Sequence, residues 1–222
     1  MGTVVLNGAT SGSTTLTPVD AVTATITLPS ATGTLATTAG SSGTSLVLIS
    51  TATASSSATI DFTSGITSTY DEYLLTITNM LPATDNQTAL FRVSEDSGAT
   101  FKSGATDYKW VATYQYSDAV TPSGDGSNGA TSVNFMSTGI SNSATRGGLS
   151  GEIRIYGPSS TASNKQFSFS VVVGKSSTDA VMSQDTKARF ALDNNAINGV
   201  RILMSTGNIT SGTFALYGIK KS

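Results

Sequence analysis

Carboxylates are the side chains of this sequence with the clearest capacity for acid–base chemistry. Two acidic pairs are adjacent, Asp71-Glu72 and Glu95-Asp96. Glycoside hydrolysis is a reaction that two carboxylates can support, and it needs them about 5–10 Å apart across the bond to be cleaved. Neighbouring residues of an extended chain point to opposite faces. Neither pair is therefore predicted to act as an acid–base couple.

Other common catalytic and metal-binding side chains are absent from the sequence. It contains no His and no Cys, which removes the imidazole base, the thiolate nucleophile, the disulfide and the usual zinc ligands. Residues 123–129 look like a calcium loop but lack the alternating Asp/Asn ligands and the closing Glu. No Gly-rich stretch has the Lys-Ser/Thr of a phosphate-binding loop. We expect a protein that is not an enzyme and uses no metal or cofactor.

An aromatic face is the remaining candidate for ligand binding. Tyr108, Trp110, Ala112, Tyr114 and Tyr116 recur at every second position, so a strand would place them on one side. Such a face could stack against sugar rings, or it could form part of a hydrophobic core. Large aromatic residues are mostly buried, which favours the core.

The elements that position these residues are predicted to be strands. Charged residues make up only 12% of the chain and Gly accounts for 22 residues, a composition that disfavours helices. We predict an all-β fold, an antiparallel, jelly-roll-like β-sandwich built from short strands at about ten-residue spacing. The run 46–49 is expected to be a strand buried on both faces. The other strands are expected at 22–28, 58–62, 72–79, 88–94, 107–116, 131–137, 151–156, 166–173, 187–192, 200–204 and 212–219.

The first 60 residues differ sharply from the rest. Asp20 is their only ionisable side chain, and they consist mostly of Thr, Ser, Ala and Gly. The side chains of such a segment are too small to form a hydrophobic core of their own. Its β-branched Thr residues favour an extended chain. We predict an extended, low-complexity arm at residues 1–45 and a β-sandwich domain at residues 46–222, joined by the Gly/Ser run 39–44. The aliphatic residues expected to anchor the arm and support oligomerisation are Leu6, Leu16, Val22, Ile26, Leu28 and Leu35.

Charge and hydropathy argue against two classes of partner. The net charge is −2 and the pI is about 4.9, whereas nucleic-acid binding relies on a basic surface. No stretch approaches the roughly 20 apolar residues of a membrane-spanning helix. We therefore expect neither nucleic-acid binding nor membrane insertion.

Two segments of the sequence carry a resemblance to a known class of proteins. Residues 2–12 (GTVVLNGATSG) and 24–37 (ATITLPSATGTLAT) together resemble a segment of tailed-bacteriophage fibre and structural proteins, and residues 209–220 (ITSGTFALYGIK) are similar to the last strand of phage appendage domains. The resemblance implies a virion protein, made in the host cytoplasm and commonly trimeric. Its arm would attach to tail or capsid proteins, and its β-sandwich would be displayed at the particle surface.

The resemblance leaves the place on the virion and the ligand open. A short tail fibre or spike is the first expectation, a capsid decoration or head fibre the second, and a carbohydrate-binding or glycan-degrading domain the third. The domain carries all the Lys and Arg residues, so we expect it to project into solvent. A loop at 118–129 is the expected host contact, with a host-surface glycan as a candidate partner. Its named residues are Asp118, Asp125 and Asn128.

Overall fold

The computed structural model describes residues 4–7, 13–16, 46–176 and 178–220. The chain divides into two compact units, Met1–Ser41 and Ser42–Ser222. In the first unit, β1 (Val4–Asn7) pairs antiparallel with β2 (Ser13–Leu16), which places Leu6 opposite Thr14 and Leu16 opposite Val4. The other four residues of the predicted anchoring set, Val22, Ile26, Leu28 and Leu35, lie outside the described residues.

The second unit is built from twelve strands in its described part, together with one 3-10 turn at Ala144–Arg146. In chain order the strands are β3 (Leu46–Ser57), β4 (Thr59–Phe62), β5 (Glu72–Pro82), β6 (Gln87–Ser94), β7 (Tyr108–Tyr116), β8 (Ala119–Ala130), β9 (Val133–Ile140), β10 (Leu149–Tyr156), β11 (Lys165–Gly174), β12 (Val181–Phe190), β13 (Gly199–Met204) and β14 (Ile209–Ile219).

The strands form two antiparallel sheets with the connectivity of a jelly roll. The large sheet has the order β3-β14-β5-β10-β11-β12-β7-β8, and the small sheet has the order β4-β13-β6-β9. When the hairpins β7–β8 and β11–β12 are set aside, the remaining eight strands in chain order form sheets 1-8-3-6 and 2-7-4-5, the double Greek key of a jelly roll. Both hairpins are insertions that extend the large sheet beyond β10.

The hydrophobic core lies between the two sheets and explains the alternation in the sequence. Along β11, buried residues alternate with more exposed ones, as expected for a strand with one covered face. Phe169 on this strand packs against Phe91 of β6 and Phe135 of β9, with ring centroids 5.4 and 5.3 Å apart. Each fully buried Phe of this kind stabilises the fold by about 1.5–3 kcal/mol.

The predicted all-β sandwich is confirmed, and most predicted strands match observed ones within a few residues. One burial prediction is wrong. The run 46–49 was expected to be buried on both faces, but Leu46 is 50% and Leu48 55% exposed. The reason is that β3 is an edge strand that pairs only with β14 among the described strands, and nothing in the described part of the second unit covers the outer face at these two residues.

The second wrong prediction concerns residues 118–129, which were expected to form a loop. All but Asp118 belong to β8, the strand at the other edge of the large sheet. The Gly and Pro residues that suggested turns are compatible with this position. Pro122 lacks a backbone N–H, and an edge strand is one of the few places in a sheet that tolerate this loss. Gly126 lies so close to β7 that a Cβ would stand 2.9 Å from the carbonyl oxygen of Trp110.

Candidate functional site

The acidic residues considered for catalysis are engaged in structural contacts. Glu72 accepts a hydrogen bond from Arg154 at 2.8 Å, and Glu95 forms an ion pair with Lys102 at 2.6 Å. Asp96 accepts hydrogen bonds from the hydroxyl groups of Ser94 and Thr100 within its own turn. The hydrogen bonds from Ser94 and then Thr100 lower the pKa of Asp96, which favours its charged form over the protonated carboxyl that would serve as the general acid in glycoside hydrolysis.

Lys165 is the one fully buried lysine in the described part of the chain. Its Nζ donates to the carbonyl oxygens of Ser163 and Asn194 at 2.9 and 3.1 Å. Burial lowers the pKa of this amine, and a shifted pKa can indicate a reactive group. Because the amine is closed off from solvent and directed at two backbone carbonyls, we interpret it as a structural lysine that fixes the loop after β12.

The aromatic residues of β7 face the core, as the burial argument predicted. Tyr108 and Ala112 are fully buried, and Trp110, Tyr114 and Tyr116 are half-buried and pack against the core cluster. The sugar-platform interpretation of this face is therefore not supported by its burial.

The three residues expected in a host-contact loop are spread along one edge of the sheet. Asp118 is in the turn between β7 and β8, where it accepts a hydrogen bond from Thr178 at 3.0 Å. This hydrogen bond is the main cause that lowers the pKa of Asp118. Asp125 and Asn128 are exposed residues of β8. On β7, Tyr116 lies next to the turn and Trp110 lies opposite Ser127, the neighbour of Asn128. These two β7 residues are six positions apart, so the turn and Asn128 are separated by roughly 20 Å at the rise of a strand.

The outer face of the inserted strands carries a row of polar and aromatic side chains at matching register positions. Tyr156 of β10 pairs with Gln166 of β11, Gln166 with Arg189 of β12, and Arg189 with Lys109 of β7. On β8, Lys109 faces the two-residue bulge that contains Asn128, because Tyr108 pairs with Ala130 and Trp110 with Ser127. We call these five residues the cationic row. It crosses five strands, about 19 Å at the usual interstrand spacing.

A second register row runs beside the first and completes a groove. Ser168, Lys187, Val111 and Gly126 are paired in turn across β11, β12, β7 and β8. Lys187 donates from Nζ to the Ser168 hydroxyl at 2.7 Å. The two rows line an open groove with a volume of about 810 Å³. At Gly126 the absence of a side chain lets β8 lie close against the backbone of β7 at Trp110 and Val111.

The charge in this groove is positive and unpaired. Lys109, Lys187 and Arg189 line it, and its lining residues include no acidic side chain. Within the described ranges, neither Lys109 nor Arg189 forms an ion pair. Yet these two cations are direct cross-strand partners, a position in which like charges destabilise a sheet.

The nearby acidic residues on the same face do not pair with the cations of the groove. Glu72 pairs with Tyr156 at the end of the cationic row, but its carboxylate is bound by Arg154, which also contacts Glu152 at 3.4 Å. Asp185 is on β12, two residues before Lys187, and is opposite Thr113 and Ser170. No acidic side chain is a direct cross-strand partner of Lys109, Lys187 or Arg189 in the registers of β11, β12, β7 and β8.

A metal-binding cluster and a membrane-spanning helix are both absent from the described residues. These residues contain no group of three or more acidic side chains placed to hold a metal ion. No helix in that part of the chain is long and apolar enough to cross a membrane.

Sequence reasoning identified only Asn128 of the cationic row. Tyr156, Gln166, Arg189 and Lys109 span 81 positions of sequence and belong to four different strands, so no local pattern connects them. Lys187 and Arg189 are separated by one residue, and this spacing was the one signal in the sequence for a strand with a basic face. No protein-family model, curated protein or solved structure matches the chain.

Proposed function

We propose that this chain is a non-enzymatic virion appendage protein of a tailed bacteriophage, a short tail fibre or spike. The observation that carries the proposal is the division into two units. The low-complexity residues proposed to form the arm fall mostly in one unit, Met1–Ser41, which precedes a second unit that holds a complete jelly-roll sandwich. A self-contained domain on a low-complexity arm suits a protein that is anchored by one part and displayed by the other. Jelly rolls are common in viral structural proteins and lectins, and the sequence resemblance points to the same class.

The contacts of the acidic residues support a non-enzymatic role. The carboxylates with the clearest potential for catalysis are bound by cations or by turn hydroxyl groups. With no His or Cys in the sequence, proton transfer would depend on these acidic groups or on Lys and Tyr. Lys165 and Tyr108, two such groups, are fully buried.

The proposal includes a homotrimer in which the arm binds other virion proteins. The sequence of the arm has only sparse aliphatic residues, Leu6 and Leu16 among them, which are too few for a core of their own, and closed cyclic symmetry brings several such segments together. Three copies rather than two follow from the phage resemblance. A capsid decoration or head fibre is the alternative placement of the same arm-and-domain design.

A deletion tests whether the arm anchors the protein in the particle while the domain folds without it. In the phage that encodes the chain, removal of residues 1–40 should leave a folded sandwich, measured by circular dichroism and thermal unfolding of the purified protein. The same deletion should abolish incorporation into particles, measured by mass spectrometry of purified virions. Incorporation of the deleted chain at the level of the intact one would contradict the assignment of the arm as the anchor.

A second measurement on the purified virions locates the protein on the particle. Immunogold labelling of intact virions should mark the tail if the chain is a fibre or spike, and the head if it is a capsid decoration. Absence of the intact chain from purified particles would overturn the virion proposal as a whole.

A binding function is a second candidate, favoured by one specific observation. The open groove of about 810 Å³ on the outer face holds cations without acidic partners. This groove lies on β10 and the two inserted hairpins, so it adds a surface that the minimal jelly roll does not have.

A further inference from the structure

The cationic row has a cost to stability that its own contacts do not offset. Lys109 and Arg189 occupy directly opposed positions on β7 and β12, and opposed like charges destabilise a sheet. The whole chain has only 12 basic residues and a net charge of −2. A bound anion between the two side chains would turn this repulsion into attraction.

The geometry of the cations suits a carboxylate-bearing ligand. The planar guanidinium of Arg189 can bind a carboxylate through two parallel hydrogen bonds, whereas the ammonium of Lys109 acts as a point charge. Lys187 is two residues from Arg189 on the same strand, about 7 Å away across the groove in the second row. Cations therefore line the groove on both sides.

The remaining members of the row are suited to sugar recognition. Tyr156 is 39% exposed at one end, and its ring can pack against the apolar face of a sugar while the edges remain wet. Gln166 and Asn128 are exposed amides, which both donate and accept hydrogen bonds and so match hydroxyl groups. Along the row, the adjacent cations Arg189 and Lys109 are flanked by the amides of Gln166 and Asn128, and the ring of Tyr156 lies one strand beyond Gln166.

We propose that this groove binds an anionic saccharide, a sugar chain carrying carboxylate groups, along the cationic row. Arg189 and Lys109 bind the carboxylates, Gln166 and Asn128 bind hydroxyl groups, and Tyr156 packs on a sugar face. The row crosses five strands, so its length fits several linked sugars rather than one small ion. The groove binds without cleaving, since no acidic side chain lines it.

Two other anionic ligands fit the groove less well. Nucleic acid is usually bound by a more extensive basic surface together with several stacking aromatics, whereas Tyr156 is the one aromatic of the cationic row. A free phosphate or sulfate ion is usually held by converging backbone N–H groups. Here the cations are spread along strands whose backbone N–H groups pair within the sheet.

The inference is independent of the virion proposal, because binding is measured on the purified full-length chain. The probe is a short polygalacturonate, a carboxylated oligosaccharide, titrated by calorimetry at low salt and again at about 0.15 M salt, where the Debye length falls to about 8 Å. We expect saturable binding that weakens as salt is added. A neutral dextran oligosaccharide of the same length should not bind.

Matched substitutions locate the site. Lys109→Gln and Arg189→Gln should each weaken polygalacturonate binding about tenfold, equivalent to about 1.4 kcal/mol, and Tyr156→Ala should weaken it several-fold. Lys220→Gln removes the same charge at an exposed position outside the groove and should leave affinity within about twofold. Because Lys109→Gln relieves the repulsion with Arg189, its thermal midpoint should equal or exceed that of the unchanged protein, so weaker binding cannot be attributed to misfolding.

Four outcomes would overturn the proposal. They are no binding of polygalacturonate at low salt, equal binding of dextran, equal binding of single-stranded DNA of matched charge, and an equal loss of affinity in Lys220→Gln. Particle incorporation does not enter any of these measurements, so the failure of one proposal is distinguishable from the failure of the other.

Discussion

The hydroxyl oxygen of Tyr108 accepts a hydrogen bond from the backbone N–H of Val93 at 2.9 Å, and in this way a side chain of the large sheet is joined to the backbone of the small sheet. The same hydroxyl donates to the carbonyl oxygen of Lys102 at 3.0 Å. One buried phenol thus holds β7, β6 and the connection between them. Its burial also raises the pKa of Tyr108 above the ordinary tyrosine range.

Replacement of this phenol should destabilise the fold without disturbing its shape. Tyr108→Phe keeps the ring but leaves the Val93 N–H and the Lys102 carbonyl without their partner, at an expected cost of about 1–3 kcal/mol in the free energy of unfolding. Urea denaturation measures this change. Tyr114→Phe is the matched control, because the Tyr114 hydroxyl makes no hydrogen bond within the described residues, and it should change stability by less than about 0.5 kcal/mol. Equal effects of the two variants would contradict the assigned role.

Arg201 should depend on the shape of its guanidinium as well as on its charge. It binds Asp61 through two hydrogen bonds, of 2.8 and 2.6 Å, and stacks on Phe101 with its Cζ 3.9 Å from the ring centroid. Arg201→Lys keeps the charge but loses the bidentate contact, so we expect a loss of about 1 kcal/mol in unfolding free energy. Arg189→Lys, at an exposed arginine without an ion pair in the described ranges, is the control and should be near neutral. A neutral Arg201→Lys variant would show that charge alone accounts for the contact.

Asp96 should make the stability of the protein pH-dependent in the acid range. Hydrogen bonds from Ser94 and then Thr100 lower the pKa of this carboxyl from 3.8 to about 2. Because the folded-state pKa lies below the unfolded value, the stabilisation is complete above the unfolded pKa and is lost as the pH falls towards about 2. Asp96→Asn should therefore be less stable than the unchanged protein near neutral pH, with the difference shrinking on acidification. Chemical denaturation at a series of pH values measures this.

A second variant separates the hydrogen bonds of Asp96 from the presence of its charge. Thr100→Val keeps the carboxyl but removes a hydroxyl donor, so the pKa of Asp96, followed by carbonyl NMR shifts, should move up towards 3.8. A pKa unchanged by Thr100→Val would contradict the proposed cause.

Local periodicity made the strands predictable, because each alternation was contained in one segment. Ile153 and Ile155 alternate with Glu152 and Arg154 in β10, and the burial follows this pattern. The strand β8 was missed because Pro122 and the glycines around Asp125 give strong turn signals. These residues are tolerated in β8 because it lies at the sheet edge and, among the described strands, pairs with β7 alone. The sequence of one segment does not show which strand will lie beside it.

The groove was not predictable for a related reason. Arg189 and Lys109 are 80 positions apart in the sequence and meet only because the β7–β8 hairpin adds to the sheet next to β12. A one-residue change of register would turn one of these side chains to the opposite face. The site therefore depends on long-range pairing, which composition and spacing do not specify.

The start of the sandwich domain should contribute to self-association. The edge strand β3 runs for 12 residues without a charge or a proline, although edge strands usually carry such protection against pairing with other chains. Leu46 and Leu48 are 50% and 55% exposed on it. We expect the proposed trimer to bury these side chains against neighbouring copies as well, where each would contribute about 1 kcal/mol or more.

Charged residues on this edge should therefore weaken the trimer. We expect the double variant Leu46→Lys/Leu48→Lys to raise the concentration at which the trimer dissociates by at least about tenfold, measured by light scattering over a dilution series. Unfolding free energy of the dissociated chain should change little, since both residues are exposed in it. Val172→Lys is the control, because Val172 is 45% exposed on β11, away from the sheet edges. If the β3 variant dissociated at the same concentration as the control, the edge would not be part of the trimer contact. A monomeric mass for the unchanged chain at micromolar concentration would contradict self-trimerisation itself.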